Sequence, residues 1–296
     1  MVSVRAHFTF GRTSSSRLHV IFGLHSEIRA SHYIAMPESA CNYGRMVDQQ
    51  KIWDEHAAQS YDTPGVGMFS EQVIEPTIET LKRLAAGGSA VEFAIGTGRV
   101  AIPLAEAGVE VSGIELSTAM IARLREKVDE SRVPVIAGDM ATASAGSGFA
   151  LAYLVFNTIS NLLTQDEQLE CFANAARHLR PGGCFVVELW VPQLRSLPQG
   201  HGGTVEVSEP GYILVDTVDT INQQLVSHHF RFDPDLDHGR DAEVFRSPHR
   251  YIWPSELDLM ARLAGFHLES RWADWNQSPF TAESGSHVSV YRLDVR

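Results

Sequence analysis

An apolar run that breaks at a Gly-Thr-Gly turn constrains the fold of this chain more than any other stretch. The run is Ala90-Val-Glu-Phe-Ala-Ile-Gly-Thr-Gly-Arg-Val100, and helical spacing of apolar residues resumes after it. This pattern predicts a buried strand, a tight turn and the N-terminus of a helix. Gly96 and Gly98 can adopt backbone angles closed to other residues, and without a Cβ they let a ligand lie against the chain. The free N–H groups of the following helix would point at that ligand.

Glu92 lies inside the predicted strand and indicates the charge of the ligand. An ionised carboxylate is costly to bury unless it accepts hydrogen bonds or faces a cation. A glutamate this close to the glycine turn therefore indicates a ligand with an ammonium or sulfonium group.

A second cofactor class stays open on these residues. Residues 96–101 also fit the dinucleotide pattern G-x-G-x-x-G/A, which is a weak signal by itself. A second predicted strand, residues 109–115, ends at Glu115, which lies 17 positions after Gly98. This is near the roughly 20-residue offset at which a carboxylate binds ribose hydroxyls. Because both cofactor classes carry a ribose, Glu115 does not distinguish them.

Three further features separate the two classes. Glu92 stands four residues before Gly96, Gly138-Asp139 follows a predicted third strand, and Pro181-Gly-Gly183 precedes a predicted fifth strand. On these features the chain resembles the class I S-adenosylmethionine-dependent methyltransferases, motif by motif over roughly residues 50–195. The resemblance implies S-adenosyl-L-methionine as the cofactor.

The first motif of that family is commonly E/D-x-G-x-G-x-G, and Ala94 stands here where its first glycine usually lies. The resemblance implies an α/β, doubly wound, Rossmann-like fold with a seven-stranded, mostly parallel sheet, an antiparallel last strand and an N-terminal cap helix. Residues 200–253 contain four β-rich segments joined by short polar loops, which predict an antiparallel insertion between strands five and six. We expect a methyltransferase domain over residues 46–296. The Arg- and Ser-rich residues 1–45 are expected to form a disordered extension.

The resemblance also assigns roles to single residues around the cofactor. Tyr61 of the cap helix would bind the methionine carboxylate, although it could equally belong to an amphipathic helix that only packs its aromatic side chains. Glu115 would bind the ribose hydroxyls. Asp139 would accept a hydrogen bond from the adenine amino group, or alternatively cap a turn. Met120 would contact the adenine face, unless it is a core residue. The predicted cofactor-binding set comprises Tyr61, Glu92, Ala94, Gly96, Gly98, Glu115, Leu116, Met120, Asp139, Met140 and Asn157.

The fourth predicted strand covers residues 149–156, and the segment after it, Asn157-Thr-Ile-Ser-Asn161, bears on the methyl acceptor. Many relatives place an acidic or polar residue here, facing the donated methyl group. Neutral side chains can position a nucleophile, but they are poor general bases near neutral pH. A hydroxyl acceptor would therefore need a base from the insertion, with His249 and His229 as the catalytic candidates, whereas an amine can arrive already deprotonated. His178 is expected to be structural, with partial positive charge at the C-terminus of its helix.

Composition excludes several kinds of partner. The net charge is −12, and residues 1–46 hold five Arg against two Glu, which leaves about −15 on the rest of the chain. Such a surface disfavours nucleic acid. No apolar run approaches the roughly 18 residues that span a bilayer, so no membrane partner is expected. The loop at residues 233–239 lacks the Glu of a calcium loop, and no metal is expected.

The three cysteines, Cys41, Cys171 and Cys184, are scattered and odd in number, which predicts a reducing, cytoplasmic environment. The expected function is transfer of the sulfonium methyl group to N, O or C of a small molecule, such as a secondary metabolite or a sugar. The insertion would act as a substrate lid or as a homo-oligomer contact. Two other functions stay open: a non-catalytic cofactor-binding or interaction protein, and a nicotinamide-dependent oxidoreductase.

Overall fold

The computed structural model describes residues 49–197, 201–232 and 242–295, and it divides the chain into two compact units. The larger unit contains the described residues of 44–193 and 249–296, and the smaller unit contains those of 194–248. The predicted N-terminal extension and the loop at 233–239 lie outside the described residues.

The described helices and strands follow the chain as sequence patterning predicts, with shifts at the ends. The helices are α1 Gln49–Ile52, α2 Glu55–Tyr61, α3 Glu71–Ala85, α4 Ala101–Glu106, α5 Thr118–Arg125, α6 Gln165–His178 and α7 Pro254–Leu263. The strands are β1 Ala90–Phe93, β2 Val111–Glu115, β3 Val135–Ala137, β4 Phe149–Leu154, β5 Leu179–Trp190, β6 Gly203–Glu209, β7 Tyr212–Asp219, β8 Gln224–Phe232, β9 Ala242–Arg250, β10 Phe266–Trp272 and β11 Ser286–Leu293.

The larger unit is built on a seven-stranded sheet with the order β10-β11-β5-β4-β1-β2-β3. Strands β1 to β5 pair in parallel, and β11 pairs antiparallel with both β5 and β10. This confirms the predicted doubly wound α/β fold with an antiparallel last strand. The strand order reverses between β1 and β4, and ligands of such sheets bind beyond the carboxyl ends of the strands at this point.

The smaller unit contains the predicted insertion as a four-stranded antiparallel sheet with the order β6-β7-β8-β9. In the sequence, these four strands lie between β5 and β10, which are the fifth and sixth strands of the main sheet in chain order. The turn between β7 and β8 is held by Asp219, whose Oδ1 accepts hydrogen bonds from the N–H groups of Ile221 and Asn222. The prediction of a β-rich insertion is therefore confirmed.

Alternation of side chains along the strands gives the main sheet two apolar faces. Phe93, Phe172 and Phe185 belong to the cluster on the face of α6 and α7. Leu81 and Tyr153 belong to the cluster on the face of α3 and α4. No helix among the described residues is long and apolar enough to cross a membrane. The same part of the chain contains no group of three His, Cys, Asp or Glu side chains placed to hold a metal ion.

His178 differs from its predicted state at the end of α6. Its Nδ1 lies 2.8 Å from the carbonyl oxygen of Asn174, and its Nε2 accepts a hydrogen bond from the Ala145 N–H at 2.9 Å. Burial lowers the pKa of His178 below its ordinary value. The expectation of a partly positive histidine is therefore wrong, because one ring nitrogen must stay unprotonated to accept from Ala145. The predicted structural role agrees with these contacts.

Candidate functional site

The Gly-Thr-Gly turn joins β1 to α4 in left-handed backbone conformations. Ala94, Gly96 and Gly98 have φ angles of 53°, 57° and 83°. A Cβ built on Gly98 would lie 2.9 Å from Cδ1 of Ile102, whereas a Cβ on Gly96 would meet nothing within 4 Å. A side chain at Gly98 would therefore push against the Ile102 and Leu124 side chains inside the protein. Gly96 instead borders open space, as expected of a position where a ligand approaches the backbone.

Ala94 is the one of these three left-handed residues that carries a Cβ. A left-handed conformation costs such a residue roughly 1–2 kcal/mol. Ala94 therefore adds strain to the turn that a glycine would not add.

Glu92 is buried directly beneath this turn, with 3% of its surface exposed. Its Oε2 accepts a hydrogen bond from the Tyr153 hydroxyl at 3.0 Å. Burial raises the pKa of Glu92 to about 8, while the Tyr153 hydrogen bond, the Arg99 charge and the backbone N–H of Ala101 oppose that rise. One free N–H at the start of α4 is thus directed at Glu92 rather than at a ligand. Burial thus favours the protonated form of Glu92, and a nearby cation would favour its ionised form.

The raised pKa of Glu92 predicts a pH dependence of stability. Because the folded-state pKa lies above the unfolded value, protonated Glu92 stabilises the fold below about pH 4.5, and this stabilisation is lost as the pH rises through about 8. We expect the melting temperature of the ligand-free protein to fall between about pH 5 and pH 8 more steeply than that of Glu92→Gln. Calorimetric melting of both proteins across this range measures the difference, and parallel profiles would contradict the assignment.

Glu115 ties the end of β2 to the turn. Its Oε2 accepts a hydrogen bond from the Gly96 N–H and its Oε1 accepts one from the Ser117 N–H, both at 2.8 Å. Burial raises the pKa of Glu115, and these backbone hydrogen bonds oppose the rise. Each carboxylate oxygen has a second lone pair. Glu115 can therefore hold the turn and still accept a hydrogen bond from a ligand hydroxyl.

The predicted cap helix is α2, which begins after Asp54. The Oδ1 of Asp54 accepts a hydrogen bond from the Ala57 N–H, which caps the helix. Tyr61 packs edge-on against Trp53 and Phe69, with ring centroids 5.9 Å apart in both pairs. Burial raises the pKa of Tyr61, with Arg99 opposing and Glu115 and Glu92 adding to the rise. The tyrosine therefore packs its ring, as one alternative predicted, and also lies near the charges of the turn.

Polar contacts fasten the cap segment to the turn. Asp62 accepts hydrogen bonds from Thr97 Oγ1 at 2.6 Å and from Lys127 Nζ at 2.7 Å. Arg99 donates to the carbonyl oxygen of Met68, and its guanidinium lies over the rings of Phe69 and Phe156. The segment from α2 to Phe69 thus borders the open space above Gly96.

The other predicted cofactor residues lie at the carboxyl ends of β2, β3 and β4. Asp139 Oδ1 accepts a hydrogen bond from the Ala141 N–H at 2.7 Å, so Asp139 caps a turn. Met120 follows the N-cap Ser117 and is buried, Met140 is buried in a core cluster, and Leu116 is half-buried. These contacts supply a structural role for Asp139 and Met140, and a ligand role for the four residues stays a prediction.

A strained turn follows β4. Phe156 and Asn157 are consecutive left-handed residues with φ angles of 54° and 63°. Asn157 Oδ1 accepts a hydrogen bond from the Trp190 N–H at 2.6 Å. Strain of this kind persists where surrounding contacts fix it, and it is concentrated at functional sites. The turn replaces the last two residues of the predicted fourth strand, which ends at Leu154.

The two predicted catalytic histidines are found outside the turn. His229 lies on β8 of the smaller unit, where its Nδ1 is 2.7 Å from the Tyr212 hydroxyl and burial lowers its pKa. His249 lies near the end of β9 and is half-buried. The structure gathers Tyr61, Glu92, Ala94, Gly96, Gly98 and Glu115 around one turn. A role for either histidine as a base stays a prediction.

Three further residues at this site were not predicted from the sequence. Arg99 follows the turn directly. It could have been found from the sequence as a cationic residue close to two glutamates that were expected to be buried. Tyr153 faces Glu92 because these two residues are partners in the β1 and β4 register. Glu188, at the end of β5, binds the turn after β4. Neither of the last two could be found without the strand order.

Comparison with known proteins gives consistent matches. Residues 90–183 match the family described as a methyltransferase domain. The solved structure of the CcbJ methyltransferase from Streptomyces caelestis is 37% identical, with a TM-score of 0.65, over 74% of this chain and 88% of that one. The cypemycin N-terminal methyltransferase of Streptomyces sp is 24% identical over 81% of this chain and 96% of its own length. A dTDP-4-amino-2,3,4,6-tetradeoxy-D-glucose N,N-dimethyltransferase of Saccharopolyspora spinosa is 33% identical over 36% of this chain and 43% of its own length.

Proposed function

Since this chain belongs to the class I S-adenosylmethionine-dependent methyltransferases, we propose that it methylates an amine nitrogen of a small natural product. The neutral segment after β4 carries this proposal. Asn157 Oδ1 accepts a hydrogen bond from the Trp190 N–H, and the Thr158 hydroxyl donates one to the Val155 carbonyl oxygen. A segment with no ionisable side chain suits a nucleophile that needs no general base. Two of the relatives, by their names, methylate a peptide amino terminus and an amino sugar.

The residues around the turn fit S-adenosylmethionine. The methionine portion would lie in the open space next to Gly96, where no atom lies within 4 Å of a built Cβ. The buried Glu92 would suit the ammonium group, because a cation there compensates a carboxylate that burial disfavours. Tyr61 and Arg99 would hold the carboxylate, Glu115 the ribose hydroxyls, and Asp139 the adenine amino group. Leu116, Met120 and Met140 would line the adenine pocket. When bound, the cofactor supplies a methyl group already activated by its sulfonium sulfur.

The protein then mainly has to align the acceptor and exclude water. A neutral amine attacks the methyl carbon as the carbon–sulfur bond breaks, and the new nitrogen–carbon bond makes the acceptor an ammonium. Its extra proton leaves to solvent afterwards. A hydroxyl acceptor would instead require a base, for which His249 and His229 are the candidates. Loss of turnover in their Gln variants, with unchanged affinity for S-adenosylhomocysteine, would identify that base.

Matched acceptors test the amine proposal. The full-length protein is incubated with S-adenosylmethionine carrying a deuterated methyl group and with paired acceptors, and products are read by mass spectrometry. One pair is an amino-deoxysugar nucleotide and its hydroxyl counterpart, and the other is a peptide with a free and with an acetylated amino terminus. We expect label only in the amine members. Label in the hydroxyl sugar would contradict the proposal, and no label despite cofactor binding would favour the non-catalytic alternative.

A further inference from the structure

A cavity of about 170 Å³ lies at the carboxyl end of β5 and the amino end of the antiparallel strand β11. The N-terminal part of α3 forms one side of it, including Gln72 and Val73. The sheet forms another side through Glu188 and Val288, which are paired neighbours on β5 and β11. The cavity therefore lies at the edge of the sheet where ligands of this fold bind.

The wall chemistry of this cavity favours a cation. None of its lining residues is Lys, Arg or His, and Glu188 and Asp274 each contribute a carboxylate. Oδ1 of Asp274 accepts a hydrogen bond from the Ser278 N–H at 3.1 Å. Trp275 contributes an aromatic side chain and Val288 an aliphatic one. A carboxylate beside an aromatic side chain suits an ammonium group, which gains from both the charge and the ring face. A phosphate or a carboxylate group would be repelled there.

Glu188 also contacts the strained turn after β4. Its Oε2 accepts a hydrogen bond from the Phe156 N–H at 2.7 Å, and its carbonyl oxygen accepts one from the Asn157 N–H at 3.2 Å. Among the described residues, its Oε1 accepts no hydrogen bond. Glu188 thus fixes the turn after β4 through Oε2 and also lines the cavity, where its second carboxylate oxygen can serve a ligand.

We infer that this cavity receives the amino group of the acceptor, and that Oε1 of Glu188 binds it while Oε2 holds the Phe156–Asn157 turn. This inference rests on the proposed amine methylation and adds the residue that selects the amine. A bound ammonium group has no lone pair, so it first releases one proton to solvent and the neutral amine then attacks. The carboxylate favours transfer, since positive charge returns to the nitrogen as the methyl group arrives.

The test uses full-length protein saturated with S-adenosylhomocysteine and two probes of equal ring size, cyclohexylamine in its ammonium form and cyclohexanol. Ligand-observed NMR titration measures the affinity for each probe. We expect the unmodified protein to bind the ammonium roughly tenfold or more tightly than the alcohol. In Glu188→Gln this preference should disappear, while the amide oxygen still accepts from the Phe156 N–H, so the affinity for S-adenosylhomocysteine should stay unchanged.

Two further variants separate charge from positioning. Glu71→Gln removes an exposed carboxylate next to Gln72 and should leave both affinities unchanged. Glu188→Ala removes the turn contact as well and should lower the melting temperature more than Glu188→Gln. Equal binding of the two probes by the unmodified protein, or a preference that survives in Glu188→Gln, would overturn the inference. Label transfer to a hydroxyl acceptor would instead overturn the proposed function, so the two failures are distinguishable.

Discussion

Replacing Glu115 by alanine is expected to weaken the binding of S-adenosylmethionine and of S-adenosylhomocysteine together, by roughly ten- to a thousandfold. A carboxylate that accepts hydrogen bonds from ribose hydroxyls makes charge-assisted contacts worth about 1.5–3 kcal/mol each. Both ligands carry the ribose, so the loss should be the same for each. The substitution also removes the acceptor for the Gly96 N–H, which loosens the turn on which the ligand rests.

Calorimetric titration with S-adenosylhomocysteine measures this loss. Glu115→Gln keeps an oxygen acceptor but removes the charge. Its affinity for S-adenosylhomocysteine should therefore lie between those of Glu115→Ala and the unmodified protein. Glu110→Gln, at an exposed carboxylate just before β2, should bind normally. We expect the ligand-free Glu115→Ala protein to melt a few degrees lower, because the Gly96 and Ser117 N–H groups lose their partner. Normal affinity in Glu115→Ala would show that the carboxylate is purely structural.

Gly96→Val is expected to reduce the affinity for S-adenosylhomocysteine at least as strongly. The branched side chain would enter the open space above the turn, where the cofactor must approach. Valine in a left-handed conformation also costs roughly 1–2 kcal/mol, which should lower the melting temperature by a few degrees. Binding must therefore be measured at a temperature where the variant is fully folded.

Alanine at Gly96 and at Gly98 provides the matched comparison. Both positions have positive φ, so both variants carry the same kind of backbone strain. The new methyl group points into open space at Gly96 but towards Ile102 at Gly98. We expect Gly96→Ala to lose mainly affinity, and Gly98→Ala to lose mainly stability, by about 1–3 kcal/mol through overpacking. Ala94→Gly, which removes strain from the same turn, should bind normally and unfold at an equal or slightly higher temperature. The opposite pattern at the two glycines would reverse their assigned roles.

Local patterns in the sequence predicted the elements that carry the site. The strand, turn and helix around Gly96 depend on residues adjacent in the chain, and the N-cap Ser117 is recognisable from its own side chain and the helix after it. The end of β4 was predicted two residues too late, because apolar side chains at Val155 and Phe156 continue the strand pattern. The structure ends the strand at Leu154, where contacts from β5 impose left-handed conformations that no local pattern encodes.

The features of the fold and the site that the sequence did not predict depend on contacts between distant segments. Pro181-Gly-Gly183 indicated a turn before the fifth strand, whereas β5 begins at Leu179 and its pairing with β4 shifts register there. The neutral state of His178 depends on a backbone N–H 33 residues away. Glu92 could be identified as a buried carboxylate, but its partner Tyr153 is set by the pairing of β1 with β4. The cavity lined by Glu188 likewise combines α3, β5 and β11, which only the sheet order brings together.

Titration calorimetry of the unmodified protein with S-adenosylhomocysteine and, separately, with NAD tests the cofactor assignment most directly. If the turn at Gly96 holds the nucleoside and amino-acid portions of the methyl donor, the thioether should bind with a stoichiometry of about one per chain and NAD should give no binding heat. Saturable heat from NAD, with none from S-adenosylhomocysteine, would contradict the account.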